Sequence, residues 1–302
     1  MGGVRLTLIT DKINRTDIVL IMLVTLSWGL SYSVIKFALK DYPPIAFRTW
    51  CLLLGVVALG IYLIRCRISF KVPKNERFRV FQLSTLNMIF WQIGLMYGVL
   101  LLNSGRAAII GYTMPVWALI TSVLIYGARL TWQGVLGVTL ALTATLLLGV
   151  DEFSSFSAAP MGIIFMLGAA ISWGAGTAMT RHSNLTIKNE VLAFWSLVSA
   201  LLALFILTYS TEYDRWRWPV STEWLAITYA GVITFSFGYV AWFRVARKLP
   251  PVVSSLSIML VPVVGLFSGN LLIGETLSSF DYVALVLILL AMATVIRPAP
   301  RK

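Results

Sequence analysis

Ten stretches of mostly apolar residues follow one another along this 302-residue chain, and no other feature so limits what it can fold into. They cover residues 17–39, 44–64, 78–101, 105–126, 132–150, 160–180, 190–209, 222–246, 251–273 and 280–297. A helix rises about 1.5 Å per residue, so about 20 apolar residues cross the ~30 Å hydrocarbon layer of a bilayer. The chain is 59% hydrophobic and 12% charged, with a mean hydropathy of +0.86. Soluble domains run nearer about 45–50% apolar and about 25% charged. A water-facing surface could not be built from this composition, so the solvent is lipid. The expected fold is all-α and integral to the membrane, with ten spanning helices.

The connectors carry helix punctuation. Pro43-Pro44, Pro160, Pro219 and Pro250-Pro251 stand at or just before run starts, where a missing N–H costs nothing. Thr131 and Ser278-Ser279 are candidate N-caps. Every second connector is basic. The N-terminus, the 2–3, 4–5, 6–7 and 8–9 connectors and the C-terminus hold 18 of the 24 Lys and Arg residues. The other six are Lys36, Lys40, Arg48, Arg106, Arg215 and Arg217. Positive charge is retained on the cytoplasmic side, which places both termini there, in a multi-pass protein of the cell (inner) membrane. The same rule accounts for the net charge of +12 without nucleic acid as a partner. Anionic lipid headgroups are the partners expected at the basic N-terminus and the loop from Arg65 to Arg79. The first run is long enough to span and no small-residue cleavage site precedes a mature domain, so a cleaved signal is not expected.

The two halves of the chain match at a fixed offset. Ser27-Trp28-Gly29 recurs as Ser172-Trp173-Gly174, 145 residues on. Pro115-Val116 recurs as Pro262-Val263, 147 residues on, as do Gly127 as Gly274 and Leu130-Thr131 as Leu277-Ser278. Leu140, Leu142 and Ala144 meet Leu287, Leu289 and Ala291 at that second offset. The division expected is a cytoplasmic segment 1–16, a first five-helix repeat over 17–150, a second over 151–297, and a cytoplasmic tail 298–302. Five is odd, so the second repeat enters the membrane from the other face. Two inverted, exchangeable halves around a central cavity suit alternating access. A fused pair of repeats can enclose a complete pathway as a monomer.

Together these landmarks resemble the drug/metabolite transporter superfamily, specifically its ten-helix EamA-type permeases. The resemblance rests on Ser-Trp-Gly in runs 1 and 6, the small-residue entry Gly105-Arg106-Ala107-Ala108, the mid-run Pro115 and Pro262, and Gly274-Glu275-Thr276-Leu277-Ser278. Within that family the aromatic-rich character is most similar to the YddG-type amino-acid exporters. The resemblance implies a transporter exporting amino acids, aromatic or apolar ones included, or similar small metabolites. The first half departs from the pattern: Gly127-Ala128-Arg129-Leu130 lacks the acidic residue present at Glu275, which points to a helix-end contact in one half only.

Helical spacing nominates the site. Trp28, Tyr32 and Lys36 fall on one face of run 1, and Trp173, Thr177 and Arg181 repeat that spacing in run 6. Either the tryptophans line a pore and the cations attract a carboxylate, or the tryptophans pack helices and the cations snorkel. Run 3 offers Asn87, Trp91, Gly94 and Gly98, as pore lining or as a surface for a close neighbour. Asn87 needs a partner in hydrocarbon. The corresponding face of run 8 passes through Thr234, Gly238 and Ala241, with Tyr239 and Trp242 beside it. Tyr97, Tyr112 and Trp117 complete the aromatic candidates for the substrate site. Aromatic walls suit apolar solutes and an ammonium group. Pro115 and Pro262 each remove a helix hydrogen bond, freeing the carbonyls at 111 and 258, and are candidate hinges. A static kink is the alternative.

Other chemistries find little support. All twelve carboxylates lie at or beyond run ends, which argues against proton-for-cation exchange through a buried acid. There is no phosphate-binding loop for ATP. The one histidine, His182, sits at a run end and excludes a two-histidine metal site. Cys51 lies in an apolar run and Cys66 in the most basic loop, so neither redox pairing nor metal binding is expected. No cofactor, metal or enzymatic activity is expected. Drugs, sugars or nucleotide conjugates stay open as substrates, although phosphate would need several cavity cations and only Lys36, Arg48 and Arg181 are at hand. An enzyme or receptor scaffold is the remaining class.

Overall fold

The computed structural model describes residues 15–154, 160–242 and 259–296. Among them the chain is helical, with short connectors and no strand. Seven helices are long and apolar enough to cross a membrane. They are α1 (Arg15–Ala38), α2 (Pro44–Arg65), α3 (Lys74–Leu101), α4 (Ser104–Tyr126), α6 (Pro160–Arg181), α7 (Asn189–Thr211) and α8 (Ser221–Trp242). Three more are α5 (Trp132–Ser154), α9 (Val261–Ile273) and α10 (Ser279–Ile296), whose apolar stretches are shorter. The end of run 222–246 and the start of run 251–273 lie outside the described residues.

The outside of the bundle is apolar. Met22, Ile64, Leu124, Leu146, Ile206 and Leu271 all stand exposed. In water such a belt would drive aggregation. In lipid it is the solvated face, while further aliphatic side chains, small residues and aromatic rings are buried between the helices.

Helix packing follows the sequence offset. α1 lies along α9 and α8, and its counterpart α6 lies along α4 and α3. α2 packs on α7, and α5 packs chiefly on α10, where Ala144 and Ala291 are both fully buried. Gly29 lets α1 approach Val261 and Val264 of α9, and Gly174 lets α6 approach Met114 and Trp117 of α4. A Cβ on Gly174 would stand 2.6 Å from the Trp117 Cβ and 2.7 Å from the Met114 carbonyl. The small entry to α4 is used likewise: Gly105 meets Leu266, and Ala108 meets Gly265.

Helix ends repeat as well. Gly127 and Gly274 close α4 and α9 with φ of 65° and 71°, a left-handed conformation that glycine adopts without a Cβ penalty. The following N–H groups fold back alike, Ala128 to the Ser122 carbonyl and Glu275 to that of Gly269.

Two local features differ from regular helix. α4 is broken, not merely kinked: one helix ends at Gly111, and the next starts at Met114 with Pro115 in its first turn. Pro262 opens α9 in the same way. Proline is well tolerated at a helix start because the N–H it lacks has no partner there. The carbonyl at residue 258 lies outside the described residues. Second, α3 and α8 each widen into a π-type segment, Thr85–Phe90 and Tyr229–Phe237. Such turns redirect carbonyls away from the regular ladder.

Free N–H groups at helix starts find carboxylates. Glu212 accepts from Ile45 N (3.2 Å) and Ala46 N (2.8 Å) at the start of α2. Glu275 accepts from Ser104 N and Oγ at the start of α4, the single-half helix-end contact that the sequence suggested. Glu223 takes the Val220 N–H at α8, and Asp281 takes the Ser278 N–H at α10. Arg106 pairs with Asp281 at 2.7 Å and also with Asp151, tying α4, α10 and α5 together. The described carboxylates thus sit at helix ends, several as caps.

Two stability outcomes follow. Glu212→Ala leaves two buried donors open, costs about 1–3 kcal/mol of stability per unsatisfied group and lowers the melting midpoint in detergent, whereas exposed Asp214→Ala leaves it unchanged. Gly174→Ala costs about 1–3 kcal/mol through overpacking. Gly168→Ala, with nothing within 4 Å of its new Cβ, is neutral or gains about 0.5–1 kcal/mol. Thermal unfolding of the four variants measures both contrasts.

Candidate functional site

The repeated Ser-Trp-Gly motif builds two junctions. In the first, Trp28 Nε1 donates to the Thr234 carbonyl (3.1 Å) inside the π-type segment of α8. Tyr229 of that segment donates to the Ser27 carbonyl (2.9 Å). In the second, Ser172 Oγ donates to the Leu86 carbonyl (2.7 Å) inside the π-type segment of α3. Each motif therefore supplies a donor to a displaced carbonyl and a glycine for close contact with α9 or α4.

Aromatic rings gather around these junctions. The Trp28 ring lies 6.4 Å from Tyr239 and 5.8 Å from Trp242, centroid to centroid. Trp173 meets Trp91 at 5.1 Å. Gly111, at the break in α4, faces the Tyr32 hydroxyl and the Trp91 ring, with Tyr112 buried next to it. Seven of the nominated residues thus belong to one aromatic assembly between α1, α3, α4, α6 and α8: Trp28, Tyr32, Trp91, Tyr112, Trp173, Tyr239 and Trp242. Gly238 and Ala241 turn the α8 stripe toward α1: Gly238 lies against the Trp28 indole, and Ala241 is buried.

Other nominated residues take different places. Lys36 Nζ donates to the carbonyls of Leu100 and Leu102, both at 2.8 Å, at the C-terminal end of α3. Cations are favoured there by the free carbonyls and the helix dipole. Arg181 is exposed at the end of α6, and Thr177 is half-buried on that helix. Gly94 and Gly98 let α3 touch Phe165, Met166 and Ala169 of α6, and Asn87 packs on Gly176 with its Oδ1 unpaired. That stripe of α3 is an interface with α6. Tyr97 stacks on Phe165 at 5.0 Å, and Trp117 Nε1 donates to Thr113 Oγ1. His182 stacks on Tyr126 at 3.9 Å. An apolar groove of about 430 Å³ opens between α3 and α6 beside Phe90, Phe165 and Gly168, apart from the aromatic assembly.

The sequence reading passed over a polar group on the next face of α3. Met88, Gln92 and Met96 stand at successive turns there and are buried. Tyr239 Oη and Gln92 Nε2 both donate to Met88 Sδ, and Arg48 Nε donates to Met96 Sδ at 3.3 Å. The available signal was a charge inside the second apolar run. The sequence reading counted Arg48 among the cations available to the cavity but gave it no partners on α3.

A second aromatic cluster stands at one end of the bundle. Trp50 packs against Trp216, Trp218 and Trp224 with centroids 5.3–6.3 Å apart. Tyr42 Oη donates to the Arg217 carbonyl, and Arg217 pairs with Glu223 at 2.5 Å. Burial raises the Tyr42 phenol above its ordinary pKa, and the Glu223 carboxylate raises that of Arg217, so both keep their neutral pH charge states. Among the described residues no three His, Cys, Asp or Glu side chains converge as metal ligands.

Comparison with known proteins agrees with this architecture. A probable amino-acid metabolite efflux pump of Escherichia coli is 24% identical over 286 residues, covering 91% of this chain and 93% of that protein. The uncharacterized transporter YoaV of Bacillus subtilis is 25% identical over 261 residues, covering 85% and 89%. The uncharacterized inner membrane transporter YedA of Escherichia coli is 25% identical over 273 residues, covering 89% and 86%. A crystal structure with 17% identity superposes with a TM-score of 0.67 over 92% of this chain and 96% of that one, a likeness of fold. Residues 15–150 and 160–297 each match one family, so that two successive matches fill nearly the whole chain, and this multi-pass membrane protein belongs to the EamA-like transporter family.

Proposed function

We propose that the protein exports amino acids with apolar or aromatic side chains, moving them by alternating access without direct use of ATP. The observation that carries this reading is the pair of Ser-Trp-Gly junctions. Each sets a tryptophan against a ring of a neighbouring helix, Trp28 on Tyr239 and Trp173 on Trp91. Aromatic surfaces bury apolar side chains and attract an ammonium group. The efflux pump of Escherichia coli, named for amino-acid metabolites, supports the same substrate class.

Ten spans in two inverted repeats, 17–150 and 151–297, complete the proposal. Its support is the 145- and 147-residue offsets between matched landmarks and the matching of α1–α9 with α6–α4 packing. The lysine and arginine distribution supports cytoplasmic termini and anionic lipid at the basic connectors. YedA, described as an inner membrane transporter, supports that location. Pro115 and Pro262 are the hinges in this scheme: Pro115 stands where the two helical pieces of α4 meet and Pro262 in the first turn of α9, and the angle at each changes as one end closes and the other opens. A single chain suffices for the pathway.

The described carboxylates sit at helix ends and several are engaged as caps, which supports movement down the solute gradient rather than proton exchange. Uptake of radiolabelled solutes into proteoliposomes tests this. Amino acids are expected to enter with or without an imposed proton gradient. Entry only with the gradient overturns the facilitative mechanism, and entry of drugs or conjugates alone overturns the substrate class. Trp28→Ala and Trp173→Ala should each reduce that uptake with membrane insertion intact, and wild-type rates in both would assign the rings to helix packing.

A further inference from the structure

Arg48 lies one turn inside α2 and is only 1% exposed. A cation so near a helix end ordinarily snorkels to the headgroups. This one does the reverse. Its guanidinium carbon sits 5.2 Å from the ring of Phe235, and Phe235 packs against Gly55, two turns deeper in α2. The charge is therefore directed toward the middle of the bundle.

Among the described residues nothing there neutralises it. Nη2 has no hydrogen-bond partner, and Nε has only a thioether sulfur, a weak acceptor. No salt bridge to Arg48 is present among the described residues, and the described carboxylates are at helix ends. Along the same face of α3, the buried Gln92 spends its amide on Met88 Sδ and leaves Oε1 unpaired. Tyr239, from the aromatic assembly, donates to that sulfur too. Strong donors facing sulfur leave room for a better acceptor. An unpaired buried cation is costly, so its retention calls for a compensating ligand. The group is also unsymmetrical: at the 145-residue offset the second half carries Ala193. One cation in two otherwise matching halves fits a solute with one anionic end.

We propose that Arg48 is the anchor for the carboxylate of the transported solute. The guanidinium fork pairs with a carboxylate through two parallel hydrogen bonds. The aromatic assembly takes the rest of the solute. This rests on the amino-acid reading above and adds its binding group, which the sequence had assigned to Lys36 and Arg181.

The test uses three probes on purified full-length protein: L-phenylalanine, phenylacetate and L-phenylalaninamide. Binding is read by ligand-dependent thermal shift, and uptake of radiolabelled phenylalanine is read in proteoliposomes. The two carboxylates should bind and the amide should bind at least about tenfold more weakly, the size of a lost hydrogen bond to a charged group. Arg48→Gln should abolish the preference, and Arg48→Lys should keep part of it. Without ligand, Arg48→Met should melt at or above the wild-type temperature, because an unpaired charge is removed. Equal binding of acid and amide by the wild type overturns the proposal, whatever the variants do. So does a preference that survives in Arg48→Gln, or a ligand-free loss of stability in Arg48→Met and Arg48→Gln that marks a structural arginine. Phenylacetate binding through Arg48 without phenylalanine uptake would leave the anchor standing and remove the amino-acid reading. Phenylalanine uptake without acid-over-amide preference would do the opposite.

Discussion

Hydrocarbon offers no hydrogen-bond partner, and that single constraint organises this molecule. Helices answer it along their length but not at their ends, where free N–H and C=O groups remain. Here charged side chains meet several of them. Glu212 closes the start of α2, Glu275 that of α4, and Lys36 the end of α3. Each contact joins one helix end to a residue from another part of the chain. Capping and tertiary assembly are thus the same act, and a scarce set of charges holds the bundle together at one end.

The same constraint explains the Ser-Trp-Gly motif. A π-type turn turns a carbonyl out of its ladder, which in lipid demands a donor. Trp28 and Ser172 supply it, from helices brought alongside by neighbouring glycines. The motif is a clamp between a bulged helix and a straight one. Because it also sets the tryptophans at mid-helix, the structural solution and the aromatic assembly share their residues.

Much of this was legible in the sequence because its signals are periodic or positional. Among the described residues the apolar runs match the helices closely, the matched landmarks Gly127 and Gly274 stand at equivalent helix ends, and Gly94 and Gly98 do mark a close neighbour. What was not legible depends on direction. A helical wheel puts Lys36 and Trp28 on one face, yet a long side chain can turn along the axis, and Lys36 turned to the end of α3. Arg48 turned inward for reasons set by α3 and α8, which no local pattern encodes. Proline announced an interruption at 115 but not whether the helix bends or breaks. The π-type segments carry no composition of their own, since their stability comes from partners elsewhere in the chain.

Those segments have an evolutionary corollary. A π-type turn holds one residue more than the α-helical turn it replaces. Elsewhere in a spanning helix, losing a residue rotates everything beyond it by about 100° and misaligns a whole face. Within Thr85–Phe90 or Tyr229–Phe237 the loss can instead be absorbed by tightening to ordinary helix, with both flanks left in phase. Single-residue gaps in α3 and α8, when related chains are laid side by side, belong at these two places. Lineages that carry such a gap will have given up the displaced carbonyl, and with it the need for the donor that answers it.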